Sequence, residues 1–332
     1  MTWWLACSIG SRFPERVSGD PTESMVFGFF DRSPDPSVDE RPLLPADLVR
    51  KVRHIEISTK RLVDQGVAGD YHSAFKGRGV EFAEVRPYAP GDEIRTIDWN
   101  VTARMGSPYV KRYVEERDLT VFVAVDISGS LGYGSRAILK RELAAELTAL
   151  LSFAALRNQD RVGAALLSDR LELFLRPDRR RTHVLRLLRE ILLRTATGHT
   201  DLERGLGAAL KTLKQRSVLF LISDFLDTPM STALKSAAAR HDLVVLELFD
   251  PKDHQPPSAG PVVLRDAETG QLGVWSGRKM ARRLTEQRAA ERLELEKLTR
   301  QLGVDHLVLR TDRPYLGTLV NFFERRRRRF GR

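Results

Sequence analysis

A single cysteine, Cys7, stands in the 332 residues, so neither an intramolecular disulfide nor a cysteine-held metal cluster can form. A chain of this kind suits a reducing compartment, and a cytoplasmic location is the expectation. Long apolar runs are missing as well: none approaches the roughly 18 to 20 residues that span a bilayer. The opening "MTWWLACSIG" is apolar but short, lacks a basic stretch ahead of it and meets Arg12 almost at once, which argues against a secretory signal. Met25 is a second candidate start. No G-x-x-x-x-G-K-[ST] string occurs, and the Gly-rich basic turn "KGRG" at 76–79 does not replace it, so the chain is not expected to hydrolyse ATP itself. The seven histidines are dispersed with no H-E-x-x-H among them. No G-x-S-x-G elbow surrounds Ser128 or Ser130, where the string is "ISGSLG".

What is present is an ordinary soluble composition, 42% hydrophobic and 30% charged, in a chain long enough to bury a sizeable core. The formal net charge of +10 comes from 54 Lys and Arg against 44 Asp and Glu. Both signs are abundant, so the excess permits an anionic partner without requiring one. Residues 1–42 carry scattered Pro, Ser and Asp with no periodicity and read as a disordered leader. "LPADLVRKVRHIEISTKRLVDQG" reads as a helix with Leu48, Val52, Ile55 and Leu62 close to one face. Residues 66–118 are punctuated by Gly and Pro and read as strands and turns; the segment 43–118 is taken as a smaller unit ahead of the main domain.

From residue 119 the pattern changes. Apolar, β-branched runs at 119–125, 161–167, 171–175, 217–223, 242–249 and 306–309 alternate with helical patterns at 136–157, 180–194, 201–214, 229–239 and 278–302. That alternation predicts an α/β fold, a doubly wound and mostly parallel sheet with helices on both faces, over residues 119–329. The short link 168–170 predicts one antiparallel hairpin at an edge. Residues 251–276 read as an inserted loop with a small hairpin. In the last long helix Met280, Leu284, Leu295, Leu298 and Leu302 share one face, as in an amphipathic surface helix.

The run Val121–Val125 ends in "DISGS", which puts three oxygen-bearing side chains, Asp126, Ser128 and Ser130, at alternate positions. In an open parallel sheet of order 3-2-1-4-5-6, ligands sit beyond the C-terminal ends of the strands, where strands 1 and 4 flank the reversal of order. The strand ending at Asp126 is the first. "SVLFLISD", ending at Asp224, is the fourth if the hairpin supplies the second and third. Thr200, in "TGHTDLERG", stands just before a helix at the same edge. Each residue has a plain structural role open to it. Asp126 and the serines form turns or caps, Thr200 caps the helix near Asp201, and Asp224 caps the helix after "FLDTP". Taken together, Asp126, Ser128, Ser130, Thr200 and Asp224 are an all-oxygen set of two carboxylates and three hydroxyls, suited to a hard cation such as Mg²⁺ or Mn²⁺.

The D-x-S-x-S string with its later Thr and Asp resembles the metal-ion-dependent adhesion site of von Willebrand factor A domains. The stretch "SAFKGRGVEFAEVRPYAPGDEIRTIDWNVTARMGSPYVKRYVEERDLTVFVAVDISGS" resembles the bacterial family called domain of unknown function 58, and the likeness extends over about residues 43–329. The resemblance implies a von Willebrand factor A-like fold and, as partner, a MoxR-type AAA+ ATPase encoded nearby. Many such relatives carry N-terminal transmembrane helices; this chain is similar to the shorter members. Residue by residue the resemblance carries Asp126, Ser128 and Ser130 onto the first metal motif, Thr200 onto the second and Asp224 onto the third. It implies a protein-interaction module whose metal is completed by an acidic side chain from the partner.

Three features remain. In "GDEIRTIDWNVTAR" the expectation is that Trp99 is a packed anchor and that the charges, Asp98 and Arg104 among them, fix turns; the alternative is a partner surface. "ERRRRRF", with Arg325–Arg329, is expected to be an exposed helix C-terminus whose cations complement the helix dipole. Two other functions use the same residues: a metal-dependent hydrolase or phosphatase with Asp201 or His199 as base, and nucleic-acid binding by the basic tail.

Overall fold

A computed structural model describes residues 45–75, 81–114, 119–132, 138–194, 200–226, 230–254, 261–265 and 272–330. The leader at 1–42, "KGRG", His199 and residues 255–260 and 266–271 of the 251–276 insertion lie outside the described residues; the small hairpin expected in that insertion is present as two short antiparallel strands. Two helices come first, α1 (Pro45–Leu62) and α2 (Ala68–Ala74), then β1 (Glu81–Pro87), α3 (Trp99–Met105) and β2 (Tyr109–Val114). The main sheet and its helices follow as β3 (Thr120–Asp126), α4 (Lys140–Arg157), β4 (Arg161–Leu167), β5 (Leu171–Asp178), α5 (Arg181–Leu193), α6 (Leu202–Thr212), β6 (Val218–Ser223), α7 (Ser231–Arg240) and β7 (Asp242–Phe249). The chain continues through α8 (Pro251–His254), β8 (Pro261–Arg265), β9 (Leu272–Ser276), α9 (Gly277–Gln301), β10 (Asp305–Arg310) and α10 (Leu316–Phe330).

The six-stranded sheet runs β10-β7-β6-β3-β4-β5. β3 pairs in parallel with both β4 and β6, β7 lies parallel between β6 and β10, and β5 is the antiparallel edge strand hooked back from β4. This is the expected order with its reversal between β3 and β6, and the 168–170 link makes the expected edge hairpin. Every residue of β3 is buried because both faces are covered. Val121, Val123 and Val125 point into a core shared with α1, α2, α4, α5 and α10, while Phe122 and Ala124 point into a second core with α6, α7 and α9. A parallel strand buried on both sides must read as an unbroken apolar run, which is why its sequence carries no polar residue between Thr120 and Asp126.

The sheet is drawn tight at one point. A Cβ on Gly163 of β4 would stand 2.8 Å from the Phe122 ring and 3.0 Å from Pro177, so glycine lets β3 and β5 side chains close over β4.

Residues 66–118 are less uniformly strand and turn than expected. Gly66 adopts a φ of 131°, which breaks the α-geometry, and the chain then resumes as α2 to bury Tyr71 and Phe75. Phe75 packs edge-on to Phe220 of β6 and Phe323 of α10, so α1 and α2 share the core of the main sheet. β1 and β2 pair antiparallel with each other, with α3 between them.

Candidate functional site

The C-terminal ends of β3 and β6 lie side by side, and the turns that leave them build the crevice. After Asp126 the chain makes one further ladder bond, Ile127 N–H to the Leu167 carbonyl at 2.9 Å. It then coils into a short 3-10 turn over Gly129–Gly132. The Asp126 carboxylate fixes that turn: Oδ1 accepts the Ser128 backbone N–H at 2.8 Å. Oδ2 accepts the Ser223 hydroxyl at 2.7 Å, across from the end of β6. The Ser128 and Ser130 hydroxyls are buried and 3.0 Å apart.

On the β6 side Ser223 Oγ accepts the Phe225 N–H at 3.0 Å. Phe225 has a φ of 52°, the left-handed region that a bulky side chain avoids. Strain held at a turn beside a buried carboxylate pair marks a place where geometry is being imposed. Asp224 is buried; its Oδ1 accepts a long 3.4 Å contact from the Leu226 N–H and its Oδ2 accepts Lys140 Nζ at 2.7 Å.

Asp126, Ser128, Ser130 and Asp224 are thus brought together, as the strand order requires. Thr200 is half-buried at the same edge, placed there by Asp201, whose N–H meets the Ser168 carbonyl beyond β4 at 3.3 Å. The capping role open to Thr200 is taken by its neighbour: Asp201 accepts the Arg204 N–H and is the N-cap of α6. The capping role open to Asp224 is likewise filled from elsewhere, since Glu203 of α6 accepts the Ala233 N–H in the first turn of α7 at 2.9 Å. The turn-forming role of Asp126 is real and coexists with its place in the crevice.

The electrostatics follow from burial. Removal from water, and then the charge of Asp224, push the Asp126 carboxyl up to about 7, against the pull of its hydrogen bonds from Ser223 and Ser128. Burial holds the Arg141 guanidinium below its usual range while the charge of Asp126 draws it back up, which puts a cation beside the first carboxylate. A buried carboxylate whose ionisation is opposed by burial and by a second carboxylate, ringed by hydroxyl oxygens, makes with them a donor set that a divalent cation would relieve. Among the described residues no three His, Cys, Asp or Glu side chains gather to hold a metal by themselves. Any metal here would rely on the hydroxyls.

Sequence reasoning missed three participants. Ser223 is the residue before Asp224 and gives no separate signal. Lys140 opens α4 and is fully buried, donating to Asp224 and, at 2.7 Å, to Asp253 Oδ2 on α8. A lysine in helical register with the apolar face of Ala144, Leu147 and Leu151 was the available clue; its partner lies 113 residues away.

Two expectations outside the crevice are corrected. Trp99 is not a packed anchor: it is 67% exposed, with Ile94 and Met105 exposed nearby in sequence. Asp98 does fix a turn, accepting the Asn100 and Val101 N–H groups as the N-cap of α3. The arginine run is not uniformly exposed either. Arg326 is buried, paired with Asp242 and Asp305 and seated 4.4 Å over the Phe75 ring. A helix of 3.6 residues per turn cannot keep five consecutive side chains on its outer face.

A central, mostly parallel sheet flanked by helices, with its crevice at the reversal of strand order, defines the protein as an α/β domain. The chain belongs to the family described as "Protein of unknown function DUF58", whose model matches residues 84–294. It is 33% identical over 287 residues, 85% of this chain and 90% of the relative, to the uncharacterized proteins Mb1516 of Mycobacterium bovis and Rv1480 of Mycobacterium tuberculosis. Among solved structures it is similar to the conserved hypothetical protein BatB from Bacteroides thetaiotaomicron, at 14% identity and a TM-score of 0.41, over 63% of this chain and 99% of that one. That likeness is too loose to bear on function. No helix among the described residues is long and apolar enough to cross a membrane.

Proposed function

We propose that the crevice is a metal-ion-dependent adhesion site of the von Willebrand factor A kind. Asp126, Ser128, Ser130, Thr200 and Asp224 would hold Mg²⁺ or Mn²⁺, directly or through water, and leave a position for an acidic side chain of a partner protein. The observation that carries this reading is the meeting of Asp126 and Asp224. They come from the two strands that flank the reversal of strand order, with the Ser128 and Ser130 hydroxyls buried beside them. Two carboxylates balance a divalent cation in formal charge, and neutral hydroxyls leave it attractive to an incoming anion.

The protein on this reading is a non-enzymatic adaptor. Lys140 is held between two carboxylates and Asp126 by two hydrogen bonds, so neither is presented as a base for turnover. The partner that the family resemblance suggests is a MoxR-type AAA+ ATPase or its client, in chaperone-like assembly or remodelling. The test is calorimetric titration of that ATPase, from the same organism, into wild type and Asp126→Ala. Binding in Mg²⁺ that vanishes with EDTA and with the variant is the expected result; undiminished binding by a folded Asp126→Ala protein contradicts it.

A further inference from the structure

Lys140 is in an unfavourable place for a lysine. As the first residue of α4 it faces the positive end of the helix dipole, and with a relative exposure of 0% it has no water. Two buried carboxylates within hydrogen-bond distance hold it there as the ammonium. Its Nζ lies 2.7 Å from Asp224 Oδ2 and 2.7 Å from Asp253 Oδ2. Asp253 stands outside the D-x-S-x-S, Thr and Asp set. Its Oδ1 is buried with no hydrogen-bond partner among the described residues, so the ammonium is what keeps this acid in place.

We infer that Lys140 is a tethered internal cation that limits the crevice's own hold on a divalent ion, so that firm retention requires a further carboxylate from outside. The inference rests on the metal reading above. With all three acids ionised, as a bound divalent cation would favour, buried Asp126, Asp224 and Asp253 set three formal negative charges against one positive from Lys140, a formal −2. Without the lysine the same set would carry −3. Lys140 also takes the Oδ2 atom of Asp224 and leaves the more weakly held Oδ1 for a cation. A unit charge a few ångströms from a divalent ion changes its binding by about tenfold or more, even at a protein-like effective dielectric. Arg141 adds to the same repulsion from a partly exposed and more screened position.

Titration with Mn²⁺ alone, followed by loss of the free-ion electron paramagnetic resonance signal, tests this on the full chain. Lys140→Met is expected to bind Mn²⁺ at least about tenfold more tightly than wild type. Asp253→Asn, which keeps the lysine and removes one acid, is expected to bind at least about tenfold more weakly. The double variant restores the formal charge and is expected to return to within about threefold of wild type. A folded Lys140→Met protein with unchanged or weaker binding overturns the inference, and so does unchanged binding by Asp253→Asn. The second result decides the matter by itself if Lys140→Met does not fold. Asp126→Ala is the separate control. If it binds Mn²⁺ as wild type does, the metal reading has failed and this inference with it. If it loses binding while the Lys140 and Asp253 variants match wild type, only the role of Lys140 is overturned.

Discussion

At the scale of single residues, the crevice is defined by charge held where water is excluded. Asp126 is buried with Asp224 as a like-charged neighbour, and its carboxyl is displaced upward to about 7 by burial first and by that neighbour second. The folded protein therefore binds a proton in the range between the usual carboxylate value near 4 and about 7, where the unfolded chain releases it. Stability from this residue is fully present below the unfolded value and is lost as pH rises through the folded one. In EDTA, the urea midpoint of wild type should fall as pH rises from about 4 to about 7, at a slope of up to about 1.4 kcal/mol per pH unit from this group. Asp126→Asn, which keeps an acceptor for Ser128 and a donor for Ser223, should flatten that slope. An equal slope in both proteins would mean that Asp126 does not carry the displaced proton.

At the scale of elements, the ends of strands and helices do the positioning. The turn after β3 is fixed by Asp126 and the turn after β6 by Ser223. α10 is locked to the starts of β7 and β10 by Arg326, which also reaches the Ala74 carbonyl at the end of α2. Arg326→Met should cost about 2–4 kcal/mol in chemical denaturation, because it takes the buried guanidinium from Asp242, leaves Asp305 only the more exposed Arg329, and empties the space over Phe75. Arg328→Ala, on the exposed side of the same turn, should change stability by less than about 0.5 kcal/mol. Equal effects from the two would show that the arginine run acts as one exposed patch. The strands were legible in the sequence because those buried on both faces must be continuous apolar runs. Their ends were legible because acids and hydroxyls cut those runs short. The return of the helix after Gly66 was not: glycine signals the break, but only the core under β6 explains why Tyr71 and Phe75 turn inward again. The exposure of Trp99 was equally hidden, since nothing local to "IDWN" records whether another element covers the ring.

At the scale of the whole molecule, strand order accounts for the site. Reversal between β3 and β6 places residues almost a hundred positions apart in one crevice, and a count of apolar runs was enough to expect it. The clasp of Lys140 and Asp253 was not legible, because its two ends sit in segments with ordinary local roles, a helix start and the corner after β7. Many of the cations are met by local carboxylates, Arg326 and Arg329 by Asp305 and Arg327 by Asp70 among them, so the formal excess of +10 does not by itself identify a partner. The central claim is that the crevice holds a divalent cation, and a ligand that binds the folded state alone must raise its stability. The most direct measurement is thermal unfolding of wild type and Asp126→Ala with Mg²⁺, Mn²⁺ or EDTA. The account predicts that about 10 mM Mg²⁺ raises the wild-type melting temperature by about 2–5 °C, that EDTA reverses the rise, and that Asp126→Ala does not respond. A wild-type protein indifferent to both metals, or a variant that responds equally, would contradict it.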